Sequence, residues 1–126
     1  MKILGVDWGL KRVGLAVSEG SLASPFKVLK IKGLEDGVKR VVRVVKEEGV
    51  DYLVMGQPEG EMGRAVEKAA QALIGKGLKV ELTDETLSTQ EAKRVMLEMR
   101  IGKKARQEDN ALSAAIILQR FLDEKI

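Results

Sequence analysis

The sequence predicts an α/β protein: a five-stranded mixed sheet with strands one to three antiparallel, strands one, four and five parallel, and helices on both faces. Three features predict it. The first third holds three short apolar runs joined by turn-like links, the pattern of an antiparallel meander. From Leu34 the apolar spacing changes to that of a helix. Beyond that helix, strand-like and helical segments alternate, and a strand-helix-strand crossover makes its two strands parallel members of one sheet.

The elements follow in order. Ile3 to Trp8 is an apolar run ending at Gly9, and Val13 to Val17 is a second run after Gly9-Leu10-Lys11-Arg12. Pro25 precedes a third, Phe26 to Ile31, in which Lys27 and Lys30 are spread among Val28, Leu29 and Ile31. Lysines of this kind protect an edge strand. Leu34, Val38, Val41, Val42 and Val45 recur at helical spacing, with Lys39, Arg40, Arg43 and Lys46 on the other side, and Gly49 ends the helix. Tyr52 to Met55, closed by Gly56, reads as a buried strand. A second helix carries Val66, Ala69, Ala70, Leu73 and Ile74 and stops at Gly75 or Gly77. Leu78, Val80 and Leu82 alternate with Lys79 and Glu81 as strand five. Ser88-Thr89-Gln90-Glu91 is a capping box that starts a third helix, through about Met99. Ile101 to Arg106 is a basic connector. The last helix runs from about Glu108 to Leu122, with Leu112, Ala115, Ile116 and Leu118 or Gln119 around its inner face. No repeat, linker or low-complexity segment divides the chain, so residues 1–126 are expected to form one domain.

Composition narrows the chemistry. At 44% hydrophobic residues the chain is too apolar for intrinsic disorder. It has no cysteine and no histidine, which excludes a disulfide framework, a thiolate nucleophile, a Cys/His zinc site and a Ser-His-Asp triad. Catalysis must then use carboxylates, hydroxyls, lysines or a metal held by oxygen atoms. The few aromatic residues, Trp8, Phe26, Tyr52 and Phe121, make a base-stacking platform an unfavoured expectation. A net charge of +3 permits an anionic partner without demanding one. Met1 and Lys2 lead into only four apolar or small residues before Asp7, too few for a signal-peptide core, and the longest apolar run, Ala114 to Leu118, is far below a membrane span. A cytoplasmic location with no membrane partner is expected.

Ligands of such sheets gather at the carboxyl ends of the parallel strands. Asp7-Trp8-Gly9, Gly56-Gln57-Pro58 and Asp84-Glu85 fall there. Asp7, at the end of a central strand, loses hydration unless a cation or donors meet it; as a turn or cap before Gly9 it would need no function. Alternation along strand five puts Leu82 and Asp84 on one face and Thr83 and Glu85 on the other, so one of the two acids can approach Asp7, and spacing does not choose between them. Asp109 and Asn110 open the last helix, where such residues commonly serve as N-caps. Gly9 and Gly14 are turn and hairpin glycines or places where a phosphate backbone comes close, and Gly56 and Pro58 line the same rim. Oxygen ligands from separate elements converging on one rim describe a Mg2+ site for phosphodiester hydrolysis. Arg100, Lys103, Lys104 and Arg106 of the connector, with Lys11 and Arg12 beside Asp7, are either a solvated surface or phosphate contacts.

These motifs together resemble the YqgF/RuvX family, RNase H-fold proteins described as Holliday junction resolvases and as nucleases that mature the 5′ end of pre-16S rRNA. The resemblance covers essentially the whole chain. Residues Gly5-Val6-Asp7-Trp8-Gly9-Leu10-Lys11-Arg12-Val13-Gly14-Leu15-Ala16-Val17 look like the family's opening G-x-D-x-G-x-K-R-x-G-x-A-x stretch, followed by Ala23-Ser24-Pro25. Gly56 and Pro58 with Gly63 resemble its G-L-P…G loop, and Asp84-Glu85 with Leu87-Ser88-Thr89 and Glu91-Ala92 resembles D-E-R-[LF]-[ST]-T-x-x-A. Ser113-Ala114 and Ile116-Ile117-Leu118-Gln119 match the closing D-x-x-[AS]-A-x-x-I-L. The chain departs from the pattern at three places. Thr86 stands for an arginine, Gln57 for a leucine, and the family's last aspartate falls on Asn110, with Asp109 one residue early. The resemblance implies catalytic acids at Asp7 and at Glu85 or Asp84, and a metal held by Asp7, Glu85 and Asn110. Asn110 can ligate only through a neutral carbonyl oxygen. Asp109, roughly 100° away around the helix, replaces it only if the helix starts frayed or rotated.

The leading expectation is therefore a Mg2+-dependent endonuclease, with Mn2+ as an alternative ion, acting on precursor rRNA or branched DNA. A nucleic-acid-binding protein with weak or no cleavage is the alternative that Asn110 favours. A sugar-kinase or actin-like ATPase ranks last, because those enzymes close two related domains on ATP and this chain supplies one. Two-fold junction cleavage would need a homodimer, whereas processing one rRNA end would not.

Overall fold

The computed structural model describes residues 1–84 and 109–125. Its strands are β1 (Ile3–Trp8), β2 (Arg12–Ser18), β3 (Ser24–Lys30), β4 (Tyr52–Gln57) and β5 (Val80–Asp84); its helices are α1 (Leu34–Glu48), α2 (Gly60–Gly75) and α3 (Asp109–Lys125). The third helix and the basic connector expected from the sequence lie outside the described residues. The five strands form one sheet in the order β3-β2-β1-β4-β5. β1 and β2 pair antiparallel from Ile3↔Ser18 to Trp8↔Val13, and β3 continues the meander antiparallel to β2. β4 runs parallel to β1, and β5 parallel to β4. The sheet is the mixed one expected, with Lys27 and Lys30 on an edge strand.

Alternation divides the side chains between two cores. Leu4, Val6 and Trp8 of β1 join Leu53 and Met55 of β4 under α1 and α2. Ile3, Ala16 and Val54 face the other way and pack under α3. Helices thus cover both faces. α1 buries Val38, Val41, Val44 and Val45 and ends at Gly49, whose φ of 65° suits a residue without Cβ. Leu34, expected inside, is 41% exposed, and Ile74 of α2 is 46% exposed, because each lies at a helix end beyond the strip that meets the sheet.

The inner face of α3 also differs from expectation. Ala111, Ala114, Leu118 and Phe121 are buried, whereas Leu112 and Ile116 are half-buried. Bulk misleads here, because the sheet offers α3 small residues to approach. A Cβ placed on Gly5 would come 2.7 Å from Leu118 Cβ and 2.8 Å from the Ala114 carbonyl oxygen. Small residues on both sides bring helix and sheet backbones together. Gln119 sits at the side of this contact. Its Oε1 accepts from the Ala23 N–H at 2.9 Å and its Nε2 donates to the Ser21 carbonyl at 2.9 Å, which ties the β2–β3 link to α3.

Gly5→Ala is expected to lower stability by about 1–3 kcal/mol, the cost of overpacking a contact that includes rigid backbone. Gly20→Ala, where a Cβ meets nothing within 4 Å, should leave the denaturation midpoint unchanged or slightly raised. Urea denaturation of both variants measures the contrast.

Candidate active site

Asp7 lies one residue before the end of β1. Directly opposite it on β2 is Gly14. On the other side, the pairing of Val6 with Met55 brings Gly56 of β4 to the adjoining position, and Gly56 pairs with Thr83 of β5. Gly14, Asp7, Gly56 and Thr83 therefore form one row across the sheet, on the face that carries Ile3 and Val54 toward α3. Glycines on both neighbouring strands leave the Asp7 carboxylate without a flanking side chain.

The first turn of α3 fills the space on one side. A Cβ on Gly14 would overlap the backbone carbonyl of Asn110, and the Asn110 side-chain nitrogen lies 3.8 Å from the position a Gly9 Cβ would take. Asn110, half-buried, thus stands over the end of the β1–β2 hairpin, at the rim that Asp7 occupies. The room at Gly14 is taken by the chain's own helix, and Gly9 is pressed into a turn where its N–H donates to the Arg12 carbonyl at 2.9 Å. The turn is held a second time, by the Ile31 N–H donating to the Lys11 carbonyl at 2.9 Å. Lys11 and Arg12 are exposed on it. The Gly56-Gln57-Pro58 stretch is fastened to the start of α2: Gln57 Nε2 donates to the Gly63 carbonyl at 3.3 Å, and a Cβ on Gly63 would overlap the Pro58 carbonyl.

Asp84 pairs with Gln57 and alternates with Val80 and Leu82, which pack against the α1–α2 core, so its position is on the face opposite Asp7. Glu85 lies outside the described residues, as do Arg100, Lys103, Lys104 and Arg106; the side chain of Asp109 does as well. Thr83 joins the row without being marked by any motif. Alternation places it on this face, but a hydroxyl in a strand carries no distinguishing signal until the register sets it in one row with Asp7.

Burial pushes the Asp7 carboxyl up to about 6. Among the described residues no side-chain cation or donor meets it. A desolvated carboxylate is unfavourable without a compensating charge, and a carboxylate between two strand glycines, with an amide residue at the same rim and a threonine in the same row, has the chemistry of a hard divalent cation site. Oxygen donors and a partly desolvated anion fit Mg2+ better than any softer metal. The described residues alone hold no group of three His, Cys, Asp or Glu.

The raised value fixes a sign. Above the ordinary value of 3.8 the unfolded chain releases the Asp7 proton, while the native state keeps it up to about pH 6. This residue's contribution to stability therefore falls as pH rises from 3.8 toward 6 and stays lowered above it. At ~1.4 kcal/mol per unit the penalty is about 2–3 kcal/mol. In metal-free buffer Asp7→Asn should melt above the parent at pH 7.5, and the gap should close as pH falls toward 4. Thermal melts across that range test it.

Comparison with known proteins bears on the family and the fold. The family model described as "RuvX: Holliday junction resolvase" matches residues 1–124. A protein of Dictyoglomus thermophilum named "Putative pre-16S rRNA nuclease" is 39% identical over 133 aligned positions, covering 98% of this chain and 96% of that protein. One of the same name from Bacillus cytotoxicus is 36% identical, covering 99% and 100%. Among solved structures, Thermus thermophilus RuvC in complex with a Holliday junction superposes with a TM-score of 0.67 at 19% identity, covering 99% of this chain and 95% of that one. The fowlpox virus Holliday junction resolvase does so with 0.67 at 12% identity over the whole of both chains. Such distant likenesses speak for the fold, which is RNase H-like, and the close relatives speak for the family. This chain belongs to the RuvX Holliday junction resolvase family and is a nuclease with the RNase H-like fold.

Proposed function

We propose that the chain, acting as one domain over residues 1–126, is a Mg2+-dependent endonuclease that hydrolyses phosphodiester bonds in structured nucleic acid, with the 5′ end of precursor 16S rRNA as its substrate in the cytoplasm. The observation that carries this reading is the desolvated Asp7 carboxylate, set between Gly14 and Gly56 at the carboxyl end of central strand β1. The names of the close relatives support the rRNA end, and the junction complexes of the structural neighbours support branched DNA as a second substrate. No described helix is long and apolar enough to cross a membrane. Cleavage at a single rRNA end requires one subunit; symmetric resolution of a junction requires a homodimer.

Asp7, Glu85 and the Asn110 carbonyl oxygen would hold Mg2+, with Mn2+ as the substitute ion. Bound there, Mg2+ supplies Lewis-acid chemistry: it offsets charge building on the phosphodiester and makes water a competent nucleophile near neutral pH. Asp7 provides the central negative charge, and desolvation strengthens its pull on any cation. Asn110 positions a neutral oxygen and leaves the site one charge short of three carboxylates. Lys11 and Arg12, on a turn held by two backbone hydrogen bonds, can bind phosphates flanking the reacting bond, joined by Arg100, Lys103, Lys104 and Arg106. Gly14 keeps Asn110 close to the rim. The binding-protein reading draws on Asn110 alone, since a weaker second ion would slow cleavage without weakening phosphate contacts.

Cleavage of a labelled precursor rRNA fragment and of a four-way junction, with and without Mg2+, tests the proposal. Asp7→Asn should abolish Mg2+-dependent cleavage with binding largely kept, and Mg2+ should raise the melting temperature of the parent but not of this variant. Asn110→Asp should raise activity at limiting Mg2+. Loss of cleavage on Asp109→Ala, with Asn110→Asp silent, would make Asp109 the ligand instead.

A separate measurement addresses the connector. The triple variant Lys103→Ala, Lys104→Ala, Arg106→Ala should bind duplex more weakly and with a shallower salt dependence, by about 0.9 in log–log slope for each phosphate that the variant leaves unneutralised. An unchanged slope would assign those residues to solvent.

A further inference from the structure

The exposed side of α1 carries Lys39, Arg43 and Lys46 at spacings of four and three residues, so the three project from one stripe. With Lys76, at the C-terminal cap of α2, they surround a hollow of about 430 Å³ that also touches Val42 and Glu47. A second hollow of about 510 Å³ shares Lys39 and Lys76 and extends toward Leu34 and Glu35. The two make a groove between the helices, with four cations and two acids around it. Arg40, next in sequence to Lys39, pairs with Asp36 at 3.1 Å. Lys39, Arg43, Lys46 and Lys76 form no ion pair among the described residues.

Like charges four apart on a helix repel one another, and Lys39 and Arg43 are such a pair. Gathering further cations from a second helix around the same hollow raises that local cost, and Glu35 and Glu47, four residues from Lys39 and Arg43, offset only part of it and close no ion pair with the four cations. A polyanion would. The groove lies on the α1–α2 face of the sheet, whereas Asp7 lies on the α3 face, so the sheet and a helix layer of roughly 10–12 Å stand between them. A phosphate held in the groove belongs to a different stretch of backbone from the one at Asp7.

We propose that the α1–α2 groove is a second phosphate-backbone site, which holds a part of a structured nucleic acid remote from the bond that is cut. This rests on the nuclease reading for the identity of the polyanion, but it assigns a surface that catalysis does not use. The groove favours long, folded substrates over short ones, and it supplies salt-dependent affinity without sequence readout.

The test uses the full chain and two forms of one precursor rRNA substrate. The short form is trimmed to the helix around the cleaved bond, and the long form keeps its flanking helices. Parent and a Lys39→Gln, Arg43→Gln, Lys46→Gln, Lys76→Gln variant are compared for binding in EDTA across a salt series, and for Mg2+-dependent cleavage of the short form. The variant should bind the long form about tenfold or more weakly, with a salt slope lower by about 2–4, and should bind and cleave the short form like the parent. Circular dichroism should show the variant folded and melting no lower than the parent, since it loses the repulsion among the four cations. Unchanged affinity and slope on the long form would overturn the proposal, and so would equal losses on both forms. Retained RNA binding with loss of binding to a polyglutamate peptide would also overturn it and give the groove to an acidic protein. A parent that cleaves neither form, yet shows the difference in long-form binding, would refute the nuclease reading and leave the groove supported.

Discussion

The close approach of α3 to the sheet is the contact on which the rest depends. Gly5 and Gly14 lie under the helix where any side chain would strike it, Gly5 against Leu118 and Ala114 and Gly14 against Asn110. Ala16, Ala111 and Ala114 complete a seam of small, fully or almost fully buried residues. Interiors of this kind tolerate little change in volume, since the main chain on both sides cannot yield as a side chain does. The seam sets how near the first turn of α3 comes to β2, and so how near Asn110 comes to the strand end that carries Asp7.

That proximity has an electrostatic consequence. Asp7 stands in a row with Gly14 and Gly56, covered from solvent by its surroundings and crowded by no side chain from either neighbouring strand. A carboxylate placed so is costly to the fold when charged and empty, and becomes favourable when a cation arrives. Under the proposed function, stability and metal binding pull in opposite directions at this residue, as is common where a site must be ready for its ligand before the ligand binds. The apolar cores on the two faces supply the stability that allows it.

The two faces of the sheet also carry different sets of charged groups. The α3 face and the strand-end rim hold the acid, the amide and the cations of the β1–β2 turn. The α1–α2 face holds lysines and an arginine around a groove and, among the described residues, no acid set for a metal. In the proposed reading, a charged, folded substrate large enough to pass over a sheet edge touches both. Net charge alone, at +3, hides this arrangement, because acidic residues elsewhere balance the total.

Sequence by itself determined the antiparallel meander, the parallel strands one, four and five and the two helical layers, because periods of two and of 3.6 residues and the crossover rule state which elements alternate and which way each side chain faces. The resemblance of its motifs also marked Asp7 and Asn110 as candidate site residues, and the structure brings the first turn of α3 against Gly14, opposite Asp7. Sequence was less able to read α3, where Leu112 and Ile116 suggested the inner face by bulk, yet Ala111 and Ala114 take it. Hydrophobic size marks a core when packing is side chain to side chain, and fails when backbones meet over glycine. Placing Asp84 likewise needed the register: Gln57 pairs with Asp84 and Gly56 with Thr83, so Asp84 is on the face away from Asp7. Local pattern dictates which residues share a face. Only tertiary structure decides which faces come together, because that depends on how closely two backbones can approach.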